Sequence, residues 1–362
     1  MKSEHEDSTR LKEFPMLWLK GFLMGSADVV PGVSGGTMAL ILGIYERLLS
    51  AIKSVNTSVI KDVFRLKWLR ALKQIHVLFL VMLFSGIVTA LAFFTKVVPL
   101  QIYMFRAPEI VFGLFFGLIV GSIYVLIKAI QQPNLSMCGW ILIGTGIGLW
   151  VVQLVPTETP EHPLFVLLSG IIAITAMILP GISGSYLLLI MRKYDYVLSA
   201  IAKIGGSETM DGLVELAPFI LGAVIGLALF SRVLSWLLDR YHRATLSVLI
   251  GFLLGSLLVI WPFQQREYVE QVRAEEVISL DDPRITSLPT IEEPAPLLPE
   301  YERVMLQTEQ GQATLQTVKR KLIHSTPFWP KAPEYPDRWM GFVSMFVGLL
   351  LVTGLERLRY FF

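Results

Sequence analysis

The sequence predicts an all-α polytopic membrane protein built as two inverted repeats, each a re-entrant broken helical hairpin followed by three transmembrane helices. Three observations predict this. Apolar stretches of about 18 residues or more recur along the chain, long enough to cross a bilayer as helices. The phrase Pro-Gly-(Val/Ile)-Ser-Gly occurs twice inside apolar segments, as Pro31-Gly32-Val33-Ser34-Gly35 and Pro180-Gly181-Ile182-Ser183-Gly184. Lysine and arginine are concentrated in some loops and missing from others. The bulk composition agrees: mean hydropathy is +0.61, and charged residues make up 17%, against about 25% in soluble proteins.

The duplication extends beyond the motif. After it, Tyr45 matches Tyr194, and Leu49-Ser50-Ala51-Ile52 matches Leu198-Ser199-Ala200-Ile201. Residues 86–97 match 222–233, with Lys96 against Arg232, and the Gly-Ser pattern of 117–122 returns at 251–256. The three blocks keep their order, at offsets of 149, 136 and 134 residues. Chance similarity among apolar helices rarely preserves Gly, Ser and a basic residue in sequence, so the chain reads as an internal repeat.

The elements follow in order. The first repeat, 1–156, opens with a broken hairpin over about 17–52, interrupted at Pro31. The segments before each proline are short for full spans, which favours hairpins that enter and return on one side. Spanning helices over about 76–97, 107–128 and 138–156 complete this half. The second repeat, from 157, has its hairpin over about 164–201 and helices over 216–237 and 244–262. A polar insertion, 263–337, then delays the last helix, about 338–356, within 338–362. The insertion carries 13 of the 29 acidic residues against 8 basic ones and is rich in proline, so it reads as an accessory loop region. Residues 305–308 and 313–318, around Gln310-Gly311, suit a small β-hairpin. The first apolar stretch runs straight into the first motif and reads as retained rather than cleaved.

Charge placement sets the orientation. Lys53, Lys61, Arg65, Lys67, Arg70 and Lys73 follow the first hairpin, which makes that loop cytoplasmic. The 157–163 loop has no Lys or Arg and carries Glu158 and Glu161, so it is external. Arg232, Arg240 and Arg243 return the 231–243 turn to the inside, as do Arg357 and Arg359 at the C-terminus. Three crossings per half invert the second repeat, and one hairpin enters from each face. Both termini are then cytoplasmic and 263–337 is external. Lys96, Arg106, Arg192, Lys193 and Lys203 are the least comfortable fit.

The motif offers backbone N–H groups, small side chains and hydroxyls at a chain break in lipid. Such a break is tolerated mainly where it is buried in protein or lines a cavity. A half-helix starting near Gly35 or Gly36 would aim its N-terminus at the bilayer midplane, an arrangement that suits anions. Ser34, Gly35, Gly36 and Thr37, with Ser183, Gly184 and Ser185, are the candidate phosphate-binding residues. The alternative is that these small residues serve close helix packing alone. Asp28 lies near the first break and its counterpart is Met177. An intramembrane carboxylate is expensive and is a candidate for coupling a proton or sodium ion; alternatively it caps the break. Glu46 and Asp195 are equivalent charges near the membrane surface, suited to interface anchoring. Arg47, Arg192 and Lys193 lie at the same level, where they would draw a phosphate to the mouth. Arg106 and Glu109 bracket Pro108 and would pair with each other. The histidines show no ligand spacing and Cys138 is the sole cysteine, so neither a metal site nor a cofactor is expected. A nucleic-acid partner is not expected either, and the oligomeric state is open.

The stretch from Gly25-Ser26-Ala27-Asp28 through Pro31-Gly32-Val33-Ser34-Gly35-Gly36-Thr37, with Leu179-Pro180-Gly181-Ile182-Ser183-Gly184-Ser185, resembles the PopT-type bacterial polyprenyl-phosphate translocases. The resemblance covers nearly all of 15–262 and the last helix, and does not account for 263–337. It implies recycling of undecaprenyl phosphate across the cytoplasmic membrane for peptidoglycan and other envelope polymers. The implied partners are the lipid phosphate, membrane lipids and a coupling ion. Two other readings compete. Intramembrane polyprenyl-diphosphate phosphatases share inverted repeats and Pro-Gly-x-Ser motifs, but place an arginine where this chain has Gly35 and Gly184. A small-anion channel would use the same helix N-termini.

Overall fold

Almost all of the helical structure sits in one apolar body, from which a narrow three-stranded sheet extends. The structure is a computed structural model. It describes residues 9–29, 34–54, 59, 62, 65, 67, 76–98, 103–104, 107–130, 134–154, 159–160, 162–204, 209–279, 302–309, 312–331 and 338–359. Pro31, Gly32, Val33, Arg106, Glu158 and Glu161, with most of the basic loop after Lys53, lie outside the described residues.

A 3-10 turn, Leu11–Glu13, leads into helix α1, Phe14–Asp28. Two short helices follow the first break, α2 (Gly35–Ile41) and α3 (Tyr45–Lys53), bent by 117° from one another. Helices α4 (Val77–Lys96), α5 (Pro108–Ala129) and α6 (Leu135–Val152) complete the first half. The second half repeats the order with α7 (Pro163–Ile178), α8 (Gly184–Ile190), α9 (Tyr194–Lys203) and α10 (Thr209–Ile260). The backbone of α10 leaves helical geometry at Tyr241 (φ −128°, ψ 42°), dividing it into 209–240 and 242–260. Helix α11, Arg338–Arg359, closes the chain.

Local chemistry explains the helix starts. Pro108 and Pro163 open α5 and α7, where a missing N–H costs nothing. The Asn134 side chain accepts from Met137 N at 3.1 Å and caps α6. Four described helices are long and apolar enough to cross a membrane: α4, α5, α6 and the long α10. Their outer faces expose large side chains such as Val81, Phe84, Leu142, Trp150 and Val224, as lipid-facing surfaces do.

In lipid there is little hydrophobic drive between helices, so close backbone approach at small residues replaces it. Helix α1 crosses α4 where a Cβ on Gly21 would strike the Leu83 carbonyl oxygen and one on Gly86 would strike that of Trp18. Helix α7 crosses residues 209–240 through Gly170 against Phe219 and Gly222 against Leu167. These are the same positions under the sequence offsets of 149 and 136. One step along each pair, Gly25 meets Ala90 in the first crossing and Ile174 meets Gly226 in the second, so the glycine has changed sides. The remaining long helices pair across the halves. Helix α5 packs on α11 through Gly117 against Met345 and Gly348 against Leu114. Helix α6 packs on 242–260 through Gly251 against Ile141 and Gly144 against Val248.

The expected helices agree with the observed ones to within several residues, and the break at Tyr241 falls inside the expected 231–243 turn. The bend between α2 and α3 was not legible. The expected β-hairpin is present but longer: β2 (Glu302–Glu309) pairs with β3 (Gln312–Pro327). A strand the sequence did not suggest, β1 (Gln264–Ile278), pairs antiparallel with β3 from Gln264↔Pro327 to Ile278↔Ala313, giving the order β1-β3-β2. At roughly 3.3 Å per residue the ribbon reaches about 50 Å. Its charged, glutamine-rich strand sequence hid the pairing. Its base is fixed to the helices by an aromatic cluster of Trp261, Phe263, Phe328, Trp329 and Phe342. Arg266 also lies 4.5 Å over the Phe112 ring of α5.

Candidate functional site

The two chain breaks meet. Ser34, at the start of α2, donates its hydroxyl to the Met177 carbonyl at 3.2 Å and accepts from Gly36 N at 3.1 Å. Thr37 accepts from Gly181 N at 2.9 Å. Tyr45, at the start of α3, donates to the Ile178 carbonyl at 3.0 Å. Three side chains of the first hairpin therefore satisfy backbone groups freed where α7 ends. A broken helix in lipid needs such partners, and here the other half of the chain supplies them.

Glycine is required at this contact. A Cβ on Gly36 would lie 2.8 Å from the Ile178 carbonyl oxygen and 2.9 Å from that of Met177, closer than a real side chain tolerates. Gly181 has φ +83° and its backbone lies against Phe252 and Leu253, so both conformation and space exclude a side chain there.

The site is asymmetric. The first copy is sealed: Ser34 is 3% exposed and Thr37 1%. Asp28 accepts from Gly35 N at 2.6 Å, so its carboxylate already occupies the anion position at the start of α2. In the second copy Ser183 caps α8 through Tyr186 N at 3.4 Å, and its hydroxyl lies 2.9 Å from that of Ser185. Ser185 is exposed, and Met177, which replaces Asp28, is 47% exposed. Both motif glycines are tight: a Cβ on Gly35 would run into the Asp28 carboxylate, and one on Gly184 into the Ala173 carbonyl. The arginine that an intramembrane phosphatase would carry therefore has no room at Gly184, where the obstacle is backbone, and at Gly35 it would have to displace the Asp28 side chain.

The remaining predicted residues separate. Arg47 is held by Glu13 at 3.1 Å and Thr9 at 2.8 Å, with its guanidinium 4.5 Å over Phe79. Glu46 lies 3.8 Å from His242 of the long helix. Asp195 lies in the first turn of α9. Arg192 occupies the left-handed region at φ 49°. Lys203 pairs with Glu215 at 2.6 Å, which accounts for one basic residue that fitted poorly on its expected side. The expected Arg106–Glu109 pair involves a residue outside those described. Tyr45 and Tyr186 were missed. Tyr186, equivalent to Thr37, donates to the Val152 carbonyl at 2.7 Å and ties α8 to the end of α6.

The fold and the site are those of a helical, multi-pass membrane protein in which the start of α2 meets the end of α7 at buried hydroxyls and glycines. The chain belongs to the undecaprenyl phosphate translocase-like family, whose pattern matches residues 24–278. It is 43% identical over 249 residues to a polyprenyl-phosphate transporter of Vibrio cholerae, covering 68% of this chain and 78% of that one. It is 28% identical over 256 residues to a polyprenyl-phosphate transporter of Staphylococcus aureus, covering 67% and 85%. No solved structure matches.

Proposed function

We infer that this protein carries a polyprenyl phosphate, undecaprenyl phosphate of the bacterial cytoplasmic membrane, from one leaflet to the other and so returns the carrier lipid for envelope synthesis. It is a transporter and not an enzyme. The observation that carries the reading is the meeting of the two breaks in unequal states, one sealed and one accessible. Alternating access to a single site calls for such a pair.

The recurrence of the Gly21–Leu83 and Gly86–Trp18 contacts at Gly170–Phe219 and Gly222–Leu167 supports two repeats of one ancestral unit. With the loop charges, it supports an inverted arrangement with re-entrant hairpins from opposite faces, cytoplasmic termini and a periplasmic sheet. In the state described, the phosphate would be received by Ser183, Gly184 and Ser185. In the opposite state Ser34, Gly35, Gly36 and Thr37 would receive it. Both half-helices are only seven residues long, so hydroxyl and backbone donors matter more than a helix dipole.

Asp28 supplies a coupling device. While ionised, its carboxylate competes with a phosphate for Gly35 N–H. A proton or sodium ion arriving at Asp28 would neutralise it and free that donor. Arg192, Asp195, Glu46 and Arg47 stand at the two mouths, with Arg47 already committed to Glu13 and Thr9.

The test is movement of a labelled prenyl phosphate across vesicles reconstituted with the full chain, with proton and sodium gradients imposed separately. Leaflet exchange well above that of empty vesicles is expected, together with acceleration by one gradient. Exchange equal to that of empty vesicles in every condition overturns the reading, and release of inorganic phosphate from a prenyl diphosphate would restore the phosphatase.

A further inference from the structure

The turns that end α2 and α8 share one backbone. In the first, Gly43 N donates to Leu40 O at 3.2 Å and Ile44 N to Ala39 O at 3.0 Å. In the second, Arg192 N donates to Leu189 O at 3.0 Å and Lys193 N to Leu188 O at 2.9 Å. This is a helix-ending motif that asks for glycine at the left-handed position and an apolar residue after it. The first turn complies, with Gly43 at φ 67° and Ile44 3% exposed. The second turn breaks both requirements: Arg192 takes the left-handed position at φ 49°, and Lys193 takes the apolar one at 2% exposure.

Lys193 is buried nearly as completely as Ile44, yet it carries an ammonium. Its Nζ donates to the Thr159 carbonyl at 2.9 Å and lies 5.5 Å over the Tyr196 ring. Among the described residues no carboxylate pairs with it. Among the described residues, a carbonyl oxygen and a ring face leave the ammonium without a counter-charge and its other N–H donors without an oxygen acceptor. A buried cation is normally paired, and departures from a motif's own requirements concentrate at functional sites. Thr159 also donates to Met191 O at 2.6 Å, so the segment before α7 is strapped onto this turn.

We propose that Lys193 is a phosphate-binding residue of the second hairpin, its buried ammonium reserved for the phosphate monoester that enters beside α8. The proposal rests on the lipid-phosphate reading and adds the cation that the hydroxyls of Ser183 and Ser185 lack. The anion would take the place of the Thr159 carbonyl on the ammonium, and Lys193 would hand it to the start of α8, about 10 Å along that short helix.

The experiment is binding of farnesyl phosphate, and of farnesol as the uncharged control, to the purified full-length protein in nanodiscs, with melting temperature measured alongside. Lys193→Ile copies the residue that the first hairpin carries in the same turn and is expected to fold. Farnesyl phosphate affinity should fall about tenfold or more, the loss expected for a charge-assisted contact. Farnesol binding should be unchanged and the melting temperature equal or higher. Lys193→Met, which keeps an unbranched chain and lacks only the terminal ammonium position, should give the same result. Inorganic phosphate as competitor separates the ligand sources: displacement makes the bare anion sufficient, and its failure makes the prenyl tail part of what is recognised. Both outcomes require the preference for phosphate to depend on Lys193. A parent protein that prefers farnesyl phosphate while both variants keep that preference overturns this proposal alone. So does an equal loss of both ligands together with a lowered melting temperature. A parent that binds the two ligands alike overturns the lipid-phosphate reading, and this proposal with it.

Discussion

Thr37→Val keeps the shape of the side chain and removes the acceptor used by Gly181 N. Leaving that buried donor unpaired should cost about 1–3 kcal/mol, read as a lower melting temperature together with slowed prenyl-phosphate exchange. Ser183→Leu acts differently. Its hydroxyl caps one short helix at a partly exposed position, so stability should change little while exchange is lost; normal exchange in this variant would remove the second motif from the site. Asp28→Asn retains an oxygen for Gly35 N but no charge. Gradient-driven transport should then fall to the rate seen without a gradient, while exchange at equilibrium persists. The hydroxyls, glycines and the lone carboxylate were legible because each is costly at a break in an apolar segment. Tyr45 was not, because its partner, the Ile178 carbonyl, belongs to a backbone 133 residues away whose register no local pattern records.

At the scale of elements, the crossings make the sharpest prediction. Gly222→Val forces a side chain into the Leu167 carbonyl, and overpacking of this kind costs about 1–3 kcal/mol. Gly86→Val should cost a similar amount at the equivalent crossing, and thermal denaturation of the two variants is the comparison to make. Unequal losses would mean that the repeats are not energetically alike. Gly139, where a Cβ would meet nothing within 4 Å, is the internal control. The spans and their order were readable from hydropathy and the repeated blocks. The 117° bend between α2 and α3 was hidden because Gly43 supplies it through a positive φ, and one glycine in a glycine-rich region carries no distinguishing mark.

For the whole molecule, the ribbon is separable from the helices. Gln264 and Pro327 are cross-strand neighbours at its base, so removing 265–326 and joining the ends with a short turn should leave transport in reconstituted vesicles intact. Loss of transport would make the sheet part of the mechanism. Its existence was only partly legible, since prolines and charges announced a loop region and a single Gln-Gly turn announced two of three strands. The pairing of α5 with α11, and of α6 with residues 242–260, bears on how the protein is made. Helix α5 leaves the ribosome roughly 200 residues before α11 exists, a wait of about 10–40 s at ordinary rates of synthesis. During that interval the groove around Gly113, Gly117 and Gly121 faces lipid or a chaperone instead of its partner. The ribbon lengthens the delay, so a chain stalled before residue 338 would be inserted, largely helical and exposed to membrane quality control.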